Sequence, residues 1–272
     1  MFGKLALLGA ASALAFAGYA TGAIGGEQTA SATGRIYHYI RSNQDGSAPE
    51  HVWVYRAAPN KLEVYKAVER CTDAAFVTAW IDPETGRASL INGGRLMPEA
   101  RYENFAQLAY DGTSSRMTVD AALPDLAVHE EIRVRDEAWH LYDFDLATLS
   151  VQTMGLADPR TGFSFGLPLV WTDPASGDFL RHLGTARAEF VGEEDYRGTP
   201  ALRFEVGGPA LGDKGGPLWI DAADGHVLGA RWGIPNHAGM EDFAIRLVDI
   251  DDSGEAGWDA LLTRHFEGCA TA

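Results

Sequence analysis

The stretch His51-Val-Trp-Val-Tyr-Arg56, Ala57-Ala-Pro-Asn60, Lys61-Leu-Glu-Val-Tyr-Lys66 decides the fold class. Both six-residue runs are rich in β-branched and aromatic side chains and alternate with a period of two. The Pro59-Asn60 pair between them is turn chemistry, so the segment reads as a β-hairpin. The same pattern extends outward. Strands are expected over Gly34–Arg41, Ala74–Asp82, Arg87–Asn92, Arg116–Ala121, Glu130–Asp136, Trp139–Asp145 and Leu149–Met154. The second half adds Gly162–Trp171, Ala186–Glu193, Ala201–Val206, Pro217–Asp221, His226–Trp232 and Asp242–Asp249. Many short strands punctuated by Gly, Pro, Asn and Asp predict a mainly β protein: an antiparallel curved sheet or half-barrel.

Helices are few. Gly254–Phe266 places Trp258, Leu261, Leu262 and His265 on one face behind Asp252 or Ser253 as N-cap, giving a C-terminal helix. Asp178–Leu183 reads as a short helix, and Arg101–Ala109 fits either a helical turn or a strand. One internal echo appears: Ala79-Trp-Ile-Asp-Pro-Glu-Thr-Gly86 returns as Leu218-Trp-Ile-Asp-Ala-Ala-Asp-Gly225. A shared hairpin solution and two similar halves of one sheet both account for it.

Of 272 residues, 38 are acidic and 22 basic, a formal charge of −16. That balance argues against nucleic acid as a partner, because a phosphate-tracking surface concentrates Lys and Arg. Met1–Lys4 carries one cation, Leu5–Ala17 is apolar or small throughout, and small residues follow. This is the order of a secretory signal peptide over residues 1–23, with cleavage after Ala17, Gly22 or Ala23. Residues 24–272 then form a single β-rich domain, periplasmic or secreted, and not transmembrane once the signal is removed. Export bears on the two cysteines. Cys71 and Cys269 are expected to form a disulfide stapling the C-terminal tail; two inert thiols, or a reactive Cys71 beside Arg70, are the other readings.

Catalytic motifs are weak. Gly162-Phe-Ser-Phe-Gly166 matches the G-x-S-x-G elbow, but Pro168 and an extended run follow where a helix is needed. Asp249-Ile-Asp-Asp-Ser-Gly254 imitates the start of a calcium loop, yet Ala260 stands where the closing carboxylate belongs. The eight histidines show no zinc spacing, and no metal or cofactor is expected. The nearest polar constellation is His237 with Glu241 and Asp242, a general base and carboxylates or simply a polar turn. Glu130-Glu131 and Glu193-Glu194-Asp195 read as solvated charges, since neighbours on a strand face opposite ways. Aromatics are more informative: Trp53, Trp80, Trp139, Trp219 and Trp232 lie at strand positions and are candidates to line an apolar cavity or to fill the core.

Four segments carry a family resemblance: Asp178-Phe-Leu-Arg-His-Leu183, the run from Glu189 through Tyr196-Arg-Gly198-Thr-Pro200 to Val206, Leu218-Trp-Ile-Asp221, and Trp139-His-Leu-Tyr-Asp-Phe-Asp145. Together they resemble the outer-membrane lipoprotein carrier (LolA-like) superfamily and its relatives among periplasmic sensors. The resemblance implies a half-barrel of about eleven strands, apolar inside and plugged by helices, that holds acyl chains of lipids or lipoproteins. The carriers' lid arginine has no clear counterpart here, so no functional residue is transferred. The expected function is binding of a hydrophobic small molecule or lipid, as carrier or sensor, with an envelope protein as a further partner. The alternatives are a periplasmic hydrolase or lyase acting on a glycan or ester, and an acidic interaction module.

Overall fold

The computed structural model describes residues 32–123, 126–173 and 177–269, so the expected signal segment lies outside the described residues. The chain forms β1 (Ile36–Ser42), β2 (Glu50–Ala58), β3 (Lys61–Ala67), β4 (Ala74–Ile81) and β5 (Ala88–Met97). Next come β6 (Arg101–Asp111), β7 (Arg116–Leu123) and β8 (Leu126–Arg133). An inner segment carrying helix α1 (Leu149–Gly155) follows, then β9 (Phe163–Val170), β10 (Leu180–Tyr196) and β11 (Thr199–Gly207). The chain ends with β12 (Gly216–Asp221), β13 (Val227–Trp232), β14 (Phe243–Asp251) and helix α2 (Gly254–Phe266). All fourteen strands join one antiparallel, unclosed sheet, with β1 paired to β14 at its centre and β8 and β9 at its edges. Fourteen exceeds the eleven or so implied by the resemblance.

Period-two alternation sorts the side chains between two faces. Tyr37, Tyr39, Val52, Val54, Leu62 and Val64 enter the main core on the inner, concave face. Their neighbours Ile36, Tyr55, Tyr65 and Phe76 form a smaller cluster on the outer face, closed by Trp258 and Leu262 of α2. The Trp258 ring stacks on Tyr55 at 5.2 Å, and its Nε1 donates to Glu63 at 2.7 Å. His265 Nε2 donates to the Thr72 carbonyl at 2.8 Å, leaving Nδ1 to accept from the Tyr65 hydroxyl. The Cys71–Cys269 disulfide, with Cα atoms 5.5 Å apart, pins the end of this helix as expected for a tail staple.

The inner segment differs from its expected strands. Trp139–Asp145 makes one isolated bridge, Trp139 to Gly166, and then a 3-10 turn at Tyr142–Phe144. Leu149–Met154 is helical. It is buried at Leu149, Val151, Gln152, Thr153 and Met154 together, so buried positions run all round it without the alternation of a two-faced strand. A helix satisfies its own backbone groups in such a place and a lone strand does not. Asp178–Leu183 is not helical: Leu180, Arg181 and His182 pair with Val170, Leu169 and Pro168. Arg101–Ala109 is strand, within β6.

The echoed hairpins share their turn chemistry. Asp82 Oδ1 accepts from the Glu84 and Thr85 amides, as Asp221 Oδ1 does from Ala223 and Asp224. Both turns close on a left-handed glycine packed against the inner segment, Gly86 at the Thr148 carbonyl and Gly225 at the Thr153 carbonyl. Across the opening, Glu130 of β8 accepts from the Phe179 and Leu180 amides at 3.2 and 2.8 Å. Its carboxylate thus ties one edge of the sheet to the start of β10. It is no free charge, whereas Glu131 sits on the exposed side beside Arg116. The Glu193 and Glu194 charges are likewise paired, with Arg160 and with Arg203.

Candidate functional site

Between the inner face of β2–β7 and the Leu141–Phe144 stretch lies a cavity of about 320 Å3. Its apolar wall includes Val77, Ile91, Leu108, Val119, Phe144 and Phe179. The space exists because the strands present small residues there: Ala75, Gly93, Gly94, Ala106 and Ala121 all line it. Glu50, Lys66, Asp143 and His237 supply its charged and titratable lining.

That polar end follows from strand phase. Arg41 continues the inward series Tyr37, Tyr39; Glu50 precedes Val52, Val54; Lys66 follows Leu62, Val64. Arg41 stands opposite Glu50 in the β1–β2 register and Lys66 lies one inward position along, opposite Val52, so the three charges gather in one layer on the inner face. Their side chains are mostly shut from solvent, at 8, 20 and 7% exposure. Asp145, in left-handed backbone at the end of the 3-10 turn, reaches this layer from the inner segment. It contacts Lys66 Nζ, lies 3.7 Å from Arg41 Nε and 3.9 Å from His237 Nδ1, and accepts from Asn236 Nδ2 at 2.7 Å. Arg41 in turn pairs with Glu50, and Lys66 also donates to the Asp143 carbonyl at 2.8 Å.

The three titratable groups of the inner segment and its neighbouring loop respond differently. Burial acts to raise the Asp145 carboxyl, but nearby positive charge, Lys66 foremost, prevails and holds its pKa at about 2. Burial drives Asp143 up to about 7, although it accepts from the Val170 amide at 2.9 Å and lies near Lys66. Burial lowers His237 to about 3, so its imidazole is neutral at ordinary pH.

The sequence candidates fall into separate places. His237 lines the cavity, but the carboxylate beside it is Asp145. Asp242 instead accepts from the Gln44 amide, and the Glu241 amide donates to Asn43. None of the five tryptophans lines this cavity. Trp139 and Trp232 are fully buried in the main core. Trp53 stacks on Tyr65 and His38 on the outer face. Trp80 lies near Lys61, and Trp219 stacks on Tyr196 beside a shallow groove with Arg231 and Arg246. Ser164 is exposed on β9, in a strand and not at an elbow. Ser253 is the N-cap residue of α2, and Asp251 accepts its amide.

Asp221, Asp224 and His226 bring ligand-type atoms within 4.8 Å of one another, a grouping that sequence spacing did not suggest. Asp224 is already engaged there by His226 and by Arg35 at 3.2 Å. Among the described residues no helix is long and apolar enough to cross a membrane.

Comparison of the chain with protein-family models and with curated proteins gives no match. Among solved structures it is similar to MucB, at 11% identity and a TM-score of 0.29, over 87% of this chain and 60% of that one. It is also similar to a Vibrio parahaemolyticus domain described as an outer membrane lipoprotein-sorting protein, at 11% identity and a TM-score of 0.23. That match covers 89% of this chain and 97% of the other.

Proposed function

We propose that this protein is an exported carrier or sensor that holds a single apolar chain in the inner-face cavity. The observation behind this reading is the cavity itself: about 320 Å3, walled by aliphatic and aromatic side chains, with polar groups gathered at one end. Sites for small amphiphiles have that size and that division of lining. The leader-like residues 1–23 and the disulfide support an oxidising compartment outside the cytoplasm.

The test is a chain-length series with one head group, titrated by calorimetry. Each buried methylene contributes about 0.8 kcal/mol, so affinity rises about fourfold per carbon until the cavity is full, then levels off. Ala106→Trp, projecting from β6 into the space, abolishes the rise. Absence of binding, or affinity that ignores chain length, refutes the reading.

A further inference from the structure

The polar end of the cavity has more carboxyl groups than cations. Two cations stand in or behind it, and each is already committed. Lys66 serves Asp145 and the Asp143 carbonyl; Arg41 serves Glu50 and lies 3.7 Å from Asp145. Two carboxylates, Asp145 and Glu50, therefore match two cations. Asp143 is a third carboxyl, half-buried and lining the cavity, and it accepts from the Val170 backbone amide.

His237 adds a second acceptor. Its Nδ1 is closed off from solvent, has no hydrogen-bond partner among the described residues, and lies 3.9 Å from Asp145 Oδ1. A proton on Nδ1 faces that carboxylate favourably, which leaves Nε2 as the acceptor of a neutral ring. Burial raises the Asp143 carboxyl, and the Val170 amide and the nearby Lys66 charge do not offset it. A ligand carboxylate brought to this end would add a third or fourth negative group to two cations that are already paired. A donor head would instead meet acceptors lacking a partner.

We propose that the occupant carries a hydrogen-bond-donating head, ammonium or hydroxyl in preference to carboxylate, received by Asp143 and His237. This rests on the chain-binding reading above and specifies its ligand class.

Decylamine, decanol and decanoate share one chain and differ only at the head. Titrated into the full protein at pH 8, the amine is expected to bind at least tenfold tighter than decanoate, with the alcohol between them. Asp143→Asn keeps an acceptor for the Val170 amide and removes the charge. It should bring the amine to within about twofold of the alcohol. His237→Leu should weaken amine and alcohol together and leave decanoate unchanged. Decanoate binding as tightly as the amine overturns the head-group assignment while chain binding stands, as does an amine preference that survives Asp143→Asn. Failure of all three ligands removes the cavity as a binding site and both proposals with it.

Discussion

Asp145→Asn isolates one buried charge. The two side chains are nearly the same shape, asparagine tolerates the left-handed backbone found here at φ 53°, and its oxygen still accepts from Asn236. What changes is that Lys66 and Arg41, 5 and 7% exposed, lose their shared anion. Breaking a buried ion pair by removing one partner costs about 3–5 kcal/mol. In a protein of this size that lowers the melting temperature by about 6–20 °C. The pH dependence gives an independent figure. The folded carboxyl has a pKa of about 2 against 3.8 for the free group, a difference equivalent to about 2 kcal/mol. Because the folded value is the lower one, this contribution is complete above about pH 4 and disappears as pH falls toward 2. Urea unfolding followed by tryptophan fluorescence, for both proteins from pH 2 to pH 7, measures both effects. The two stability curves should stand apart above pH 4 and converge below it. A difference under about 1 kcal/mol at pH 7, or one that persists unchanged at pH 2, refutes the view of Asp145 as the hub of the layer.

Two further outcomes test the architecture. Replacing Cys71 and Cys269 with serine opens a loop spanning 198 residues, and the chain-entropy estimate for that closure is about 5 kcal/mol. The urea midpoint should fall accordingly, and an unchanged midpoint would show that packing of Trp258 and Leu262 holds α2 without the staple. Gly86→Ala places a Cβ 2.4 Å from the Thr148 carbonyl at φ 70°, whereas Gly198→Ala, at φ 90°, meets open space. The second should cost about 1–2 kcal/mol from backbone strain alone. The first should cost clearly more, and equal losses would remove the hairpin turn as a grip on the inner segment.

Most of the sheet was legible because a two-faced strand must alternate, as β1, β2, β4, β7 and β12 do most plainly. The hairpin at Pro59-Asn60, the two Asp-to-Gly turns, α2 and the disulfide each have a local chemical signature. The inner segment from Trp139 to Met154 has none. A stretch buried on every side shows apolar residues at both periods, so Leu149, Val151 and Met154 imitate a strand while forming a helix. The role of Glu130 is hidden from its local sequence for a related reason. Its sequence neighbours placed it on an edge strand, but its partners, the amides of Phe179 and Leu180, come from the far side of the opening. The tryptophans drew attention by their size, yet large side chains fill space, and a cavity needs the reverse.

The same argument locates the site. A sheet curved enough to enclose a core has more inner surface than one short segment covers. Beneath β11–β14 that surface is filled by Trp232 and Phe243 packed with Tyr142 and Phe165, and by Phe204 against Phe163. Beneath β4–β7 the inward positions are Ala75, Gly93, Ala106 and Ala121, too small to reach the inner segment. The boundary between the two regions is the layer of Arg41, Glu50 and Lys66. Each of these continues an inward apolar series in phase, where a hydrophobic residue would have served packing better. Buried charges placed there cost desolvation and are satisfied by one another and by the inner segment, through Asp145 and the Asp143 carbonyl, so packing alone does not account for them. Charge at an in-phase core position, together with small residues two or three strands away, is therefore the sequence signal that marks this cavity, and it is not one the tryptophans carry.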